Sequence, residues 1–124
     1  MAESTPLYMY ILVNNDCKMG KGKIAGQVGH AVGLITENIL TNYYENPCPK
    51  NAEVLQRYDS WKDKGHAKII LKATDAEMLA FVNEKESVAI RDAGRTQIAP
   101  NTLTVVGFYP NAKLSNKFKH FKLL

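Results

Sequence analysis

The hydrophobic pattern opens with an unbroken apolar run, Leu7-Tyr8-Met9-Tyr10-Ile11-Leu12-Val13, which shows no polar alternation. Such a run predicts a strand covered on both faces. After the turn-like Asn14-Asn15-Asp16 and a glycine- and lysine-rich stretch, Ile24, Val28, Val32 (beside Ala31), Ile35 and Ile39 recur about every four residues, the spacing of one helix face. Asn46-Pro47-Cys48-Pro49 must end that helix or its trailing coil, because proline is excluded from helix interiors. Asn51 is placed to cap a second helix with Val54, Tyr58 and Trp61 on a shared face, and Gly65 to end it. Lys68–Lys72 reads as a strand. Thr74-Asp75-Ala76-Glu77 reads as a capping box opening a short helix through Met78, Leu79, Phe81 and Val82. Val88–Arg91 and Leu103–Tyr109 read as two further strands. Pro110-Asn111 predicts a last amphipathic helix with Leu114, Phe118 and Phe121 inward.

The predicted order is β-α-α-β-α-β-β-α, an α/β architecture with a largely parallel sheet and right-handed crossovers. The last two strands are joined by about ten residues without a helix, too few for a parallel crossover, so that pair is expected to be antiparallel and the four-stranded sheet mixed. The chain has 124 residues, the size of one domain, and no internal repeat or composition break divides it. Residues 1–124 are therefore read as a single domain, with 1–6 expected to be flexible. The longest apolar run is strand-length, and no basic segment followed by an apolar stretch opens the chain, so a cytoplasmic protein with no membrane partner is expected. Cys17 and Cys48 are too few for a disulfide framework and lack neighbours at metal-ligand spacing.

Charge changes the picture. The net charge is +4, but residues 93–124 carry Arg95 and four lysines with no acid, and Lys18, Lys21 and Lys23 form a second acid-free cluster. Two basic patches flanking a neutral-to-acidic middle match a polyanion footprint, and equally a solvated basic face. Two loops leave strand carboxyl ends, where ligands of open α/β sheets usually sit. The first, Cys17–Lys23, joins two glycines and three lysines to a helix start, a combination suited to an anion, although it fits neither the P-loop nor the dinucleotide frame. The second, Arg91–Thr102, sets Asp92 among cations that would hold it ionised, ready to position a water or merely to brace the loop.

Lys18-Met19-Gly20-Lys21-Gly22-Lys23-Ile24-Ala25-Gly26-Gln27-Val28-Gly29-His30-Ala31, followed by Asp92-Ala93-Gly94-Arg95-Thr96-Gln97-Ile98-Ala99-Pro100-Asn101-Thr102, resembles the paired signature of the archaeal/eukaryotic-type (class 2) peptidyl-tRNA hydrolases. The strand around Lys68–Lys72 and the ending His120-Phe121-Lys122-Leu123-Leu124 resemble that family too. The resemblance implies a three-layer α/β/α fold around a four-stranded mixed sheet. It also implies hydrolysis of the ester between peptide and tRNA, without cofactor or metal. By motif position it makes Lys18, Asp92 and Thr96 the catalytic candidates: Asp92 to orient or deprotonate water, Lys18 to stabilise developing charge, Thr96 to hydrogen-bond water or ester.

Lys21, Lys23, Gln27, His30, Arg95, Gln97 and Lys113 are the candidates for contacting substrate. Lys23, Gln27 and His30 share a stripe of the first helix distinct from its apolar face. The partner implied is peptidyl-tRNA, with a homodimer as a second expectation. The helix after Thr74 is shorter than the family's pattern, and the Asn46–Trp61 region is longer. The alternative function on the same residues is a non-catalytic tRNA- or RNA-binding adaptor.

Overall fold

The structure, a computed structural model, describes residues 6–94, 101–112 and 116–124. β1 (Met9–Asn14) is buried along its whole length. Met9, Ile11 and Val13 enter one core with Ala31, Ile35, Ile39 and Trp61, whereas Tyr10 and Leu12 enter a second with Met78, Phe108 and Phe118. A strand with cores on both sides needs apolar residues at every position, which is why the run shows no alternation.

Two long helices, α1 (Lys21–Glu45) and α2 (Pro49–Asp63), cover the first face. The short α3 (Asp75–Leu79) and the C-terminal segment cover the other. The remaining strands are β2 (Lys68–Ala73), β3 (Ser87–Arg91), β4 (Leu103–Phe108) and β5 (Lys122–Leu123), and the sheet order is β3-β4-β1-β2-β5. β1 pairs in parallel with β2, and β4 pairs antiparallel with both β1 and β3. So β1, β2 and β3 share a direction, with β4 inserted against it. The sheet is mixed as expected, but its neighbour pairs are mostly antiparallel, because the short connection from β3 can only return the chain alongside it.

Three expectations change. The sheet has five strands and not four: the chain end forms β5, antiparallel to β2, and the Leu124 N–H donates to the Ile70 carbonyl at 3.0 Å. Correspondingly, no helix follows Pro110 among the described residues. Residues 116–120 form turns, and Phe118 is buried against Tyr10, Phe81 and Phe108. A short isolated helix is marginal, whereas β2 offers an unpaired edge that the tail satisfies. Leu114, read as part of that helix, lies outside the described residues, as do residues 1–5.

The third change concerns Asn51. Cys48 occupies the N-cap of α2 and accepts from the Asn51 N–H through sulfur. The Asn51 side chain instead donates to the carbonyls of Asn42 and Asn46, closing the end of α1. The other punctuation holds: the Thr74/Glu77 capping box is formed, and Gly65, with φ +111°, lets the chain turn away from α2.

α1 packs tightly on the sheet at Gly107 of β4. A Cβ there would lie 3.2 Å from Ile35 Cδ1 and 3.3 Å from Ala31 Cβ. That contact sets the height of α1 above the strand ends, one turn from Gln27. Gly107→Val should therefore overpack the interface and cost about 1–3 kcal/mol, read as a lowered Tm in thermal denaturation. An unchanged Tm would show that α1 has room to spare.

Candidate active site

The carboxyl ends of β1 and β3 open towards the amino-terminal end of α1. The β3–β4 register shifts between Ile90 and Arg91, and the buried Thr104 hydroxyl donates to the Ile90 carbonyl at 3.1 Å beside the irregularity. A bulge of this kind re-aims the residues that follow it. Here the next residue is Asp92. Its N–H donates to the Thr102 carbonyl at 2.9 Å and its carbonyl accepts from the Asn101 N–H at 2.8 Å, so the backbone closes the neck of the loop. Its side chain, 3% exposed, is turned in against α1.

Three donors meet that carboxylate. Lys23 forms an ion pair with Oδ1, Gln27 Nε2 donates to the same oxygen at 3.4 Å, and the Gly94 N–H donates to Oδ2 at 2.7 Å. Lys23 and Gln27 stand one turn apart on α1. The hydrogen bond from Lys23 is the main reason the Asp92 carboxyl is held below the usual carboxylate range. Burial opposes it, and the Gly94 amide and the Lys23 charge reinforce it. The chain of contacts continues outward: His30 Nδ1 lies 3.0 Å from Gln27 Oε1, and the His30 ring is exposed.

This arrangement corrects the reading of α1. Its buried residues are Gln27, Ala31, Ile35 and Ile39, whereas Ile24, Val28 and Val32 are only half-buried. Gln27 thus continues the core-facing stripe and does not sit apart from it. The core ends where β3 and β4 separate, and the space beyond holds a carboxylate. An amide satisfies that neighbour and an aliphatic residue would not.

The loop after β1 is held from below. Asn14, 2% exposed, donates through its side chain to the Leu103 carbonyl at 2.8 Å and to Asp75 at 3.0 Å, linking β1, β4 and α3. Cys17 lies near the same carbonyl. Its thiol is pushed up, first by burial and then by the carboxylates of Asp75, Asp16 and Asp92, which disfavours the reactive thiolate and places the loop within the field of Asp92.

Met19 is buried in the core, while Lys18 is exposed with a left-handed backbone, φ +54°. α1 then starts without a side-chain cap on Gly20, without an acid in its first turn, and with Lys21 and Lys23 there instead. Positive charge at a helix amino terminus opposes the macrodipole, so this end favours an incoming anion.

Of the sequence candidates, the fold therefore joins Asp92, Lys23, Gln27 and His30 in one hydrogen-bonded chain. Lys18 and Lys21 stand at its rim and make no ion pair among the described residues. Thr96, Arg95, Gln97 and Lys113 lie outside the described residues. Sequence reasoning missed Asn14 and Thr104. Asn14 was readable as the one polar residue in register at the end of a fully buried strand, but its place at the head of the turn-like Asn14-Asn15-Asp16 hid it. Among the described residues no three His, Cys, Asp or Glu side chains gather as metal ligands. No described helix is long and apolar enough to cross a membrane.

Comparison with known proteins meets this geometry at the same segments. The family described as peptidyl-tRNA hydrolase PTH2 matches residues 7–124. The mitochondrial peptidyl-tRNA hydrolase 2 of Bos taurus is 37% identical over 131 aligned residues, covering 99% of this chain and 67% of the relative. The peptidyl-tRNA hydrolase of Methanocaldococcus jannaschii is 35% identical over 124 residues, covering 94% of this chain and 98% of that protein. The one from Saccharolobus islandicus strain L.S.2.15 is 32% identical over 108 residues, with 82% and 84% covered. The chain thus spans about two thirds of the bovine relative and nearly all of the Methanocaldococcus one. With both signature segments inside a match that runs from Leu7 to the last residue, this chain belongs to the PTH2 family of peptidyl-tRNA hydrolases.

Proposed function

We propose that this chain hydrolyses the ester bond between peptide and tRNA in peptidyl-tRNA, releasing both, and that Asp92, Lys23 and Gln27 form the centre of its site. The observation that carries the reading is the buried, triply bonded Asp92 at the strand ends, inside a chain that matches the family over residues 7–124. The reaction needs a seat for tRNA phosphate, a placed water, stabilisation of a tetrahedral oxyanion, and a proton for the departing ribose oxygen. The uncapped start of α1 with Lys18 and Lys21 suits the phosphate. Lys23 spends part of its hydrogen-bonding capacity on Asp92, and its ammonium has three donors, so others remain for an oxyanion. Lys18, in the loop that leads into α1, is a further cation for that charge.

The surroundings of Asp92 favour orienting water and Lys23 over deprotonating water. A carboxylate that accepts three donors and titrates below its ordinary range is a weak base. Thr96 remains the candidate for hydrogen-bonding water or ester, and Arg95, Gln97 and Lys113 those for contacting tRNA. The Asp92 cluster is assembled within one chain, so the site's centre calls for no second copy. A cytoplasmic location belongs to this reading as well, although the bovine relative is named for the mitochondrion.

The direct test is to incubate the purified protein with an N-acetylated aminoacyl-tRNA and follow free tRNA. Release well above the buffer rate is expected. Binding without release would establish the adaptor function in its place.

A second outcome follows from the depressed Asp92 titration. A carboxyl lowered in the folded state stabilises the fold above its unfolded value of about 3.9. That contribution is lost as pH falls through the lower folded value. The stability of the native protein minus that of Asp92→Asn, from urea denaturation, should therefore stay constant above about pH 5 and shrink below about pH 4. A difference independent of pH down to the acid limit of folding would contradict the ion pair.

A further inference from the structure

The amide of Gln27 has a direction. Its nitrogen donates to Asp92, so its oxygen is the atom that faces His30. An amide oxygen only accepts, and a contact at 3.0 Å therefore requires the hydrogen to be on His30 Nδ1. In the neutral imidazole this fixes the tautomer: Nδ1 carries the proton and Nε2 keeps a lone pair. The ring is exposed and lines a groove of about 410 Å³ between α1 and β3, shared with Gly29, Gly33, Ile90 and Arg91. Ile90 and Arg91 lead directly into Asp92. The exposed ring thus keeps its basic nitrogen on the side away from Gln27, one amide from the buried carboxylate, beside a groove whose wall includes the residue before Asp92.

We propose that His30 is the proton-transfer residue of this site, with Gln27 as the positioning residue that fixes its tautomer and Asp92 as the anchor of both; this rests on the ester-hydrolase reading above. His30 Nε2 takes a proton from the attacking water, whose oxygen bonds to the ester carbonyl carbon. The carbonyl oxygen becomes the oxyanion. When the tetrahedral centre collapses, the bond from carbon to the ribose oxygen breaks, and the proton on Nε2 passes to that oxygen. The peptide leaves as a carboxylic acid and the tRNA with a free hydroxyl, and the imidazole returns to its starting state. Atoms and protons balance within water and substrate.

The role divides the work in a way Asp92 alone does not permit. A carboxylate below its ordinary range holds a proton too weakly to accept one near neutrality, whereas imidazole is the side chain suited to it. Among the described residues the charged groups lining the groove beside His30 are Arg91 of β3 and Glu37 of α1, and Lys23 and Asp92 lie on the far side of Gln27.

The test measures single-turnover hydrolysis of an N-acetylated aminoacyl-tRNA between pH 5 and 9 for the wild-type protein, His30→Ala and Gln27→Leu, with tRNA affinity alongside. For His30→Ala the rate should fall by about 10²–10⁴ while tRNA affinity holds, added imidazole should restore part of the rate, and the acid limb of the wild-type profile should disappear. Gln27→Leu should retain that limb with a lowered rate. Independently of activity, nitrogen NMR of the imidazole should show the Nδ1–H form. A wild-type protein that hydrolyses well and a folded His30→Ala variant within threefold of it would overturn the role of His30 and leave the ester-hydrolase reading standing. A wild type that releases no tRNA would overturn both. An Nε2–H ring would overturn the positioning by Gln27.

Discussion

A single buried carboxylate governs how the two halves of this molecule meet at their working end. Asp92 sits at the end of β3 with its side chain 3% exposed, and a charge so placed must be compensated from within the protein. The compensation comes from three directions: an ammonium and an amide from α1, and a backbone N–H from its own loop. The first turns of α1 are thereby fixed against β3. Elsewhere α1 is held by close packing over Gly107, and by a hydrogen bond between Thr36 and Tyr58 that ties it to α2. Near the site it is held by charge. Removing either partner would leave a buried polar group without its mate, which is costlier than never having placed it there.

That constraint explains features that are unfavourable in isolation. Two lysines in the first turn of a helix without a capping side chain work against the macrodipole, and Lys18 adopts a left-handed backbone that a glycine would take at lower cost. The burial of Met19 and the hydrogen bonds of Asn14 keep the loop in place nonetheless. The arrangement gathers positive charge at one end of a long helix, where it favours an incoming anion. Local rules are broken where chemistry is expected, and kept elsewhere.

Much of this was legible in the sequence. The β1 run, the Thr74 capping box, Gly65 and the proline break before α2 each rest on strong local physics, and each appears where the pattern places it. Asp92 and Lys23 were also readable from the charged groups of their loops, and Gln27 and His30 from the helix stripe they share with Lys23, with the family motif joining all four. What spacing missed, it missed for a reason. The face of α1 was assigned from its aliphatic residues, yet the buried stripe runs through Gln27, because the neighbour above the core is a carboxylate that no local pattern announces. The tail was read as a helix because Phe118 and Phe121 suit one, whereas the decisive partner is an edge strand about fifty residues earlier in the chain. Thr104 hides inside an apolar run, and its hydroxyl matters only because the register of a neighbouring strand shifts beside it.

The central claim is that Asp92 acts by holding Lys23, and that the two are one functional unit. A double-mutant cycle with Asp92→Asn, Lys23→Met and the combination, each assayed for single-turnover hydrolysis of an N-acetylated aminoacyl-tRNA, measures this directly. If the carboxylate works through the ammonium, either change removes most of the benefit, and the double variant should be about as slow as the slower single one. If the losses multiply instead, Asp92 and Lys23 serve separate steps, and their contact is not the means by which the carboxylate acts.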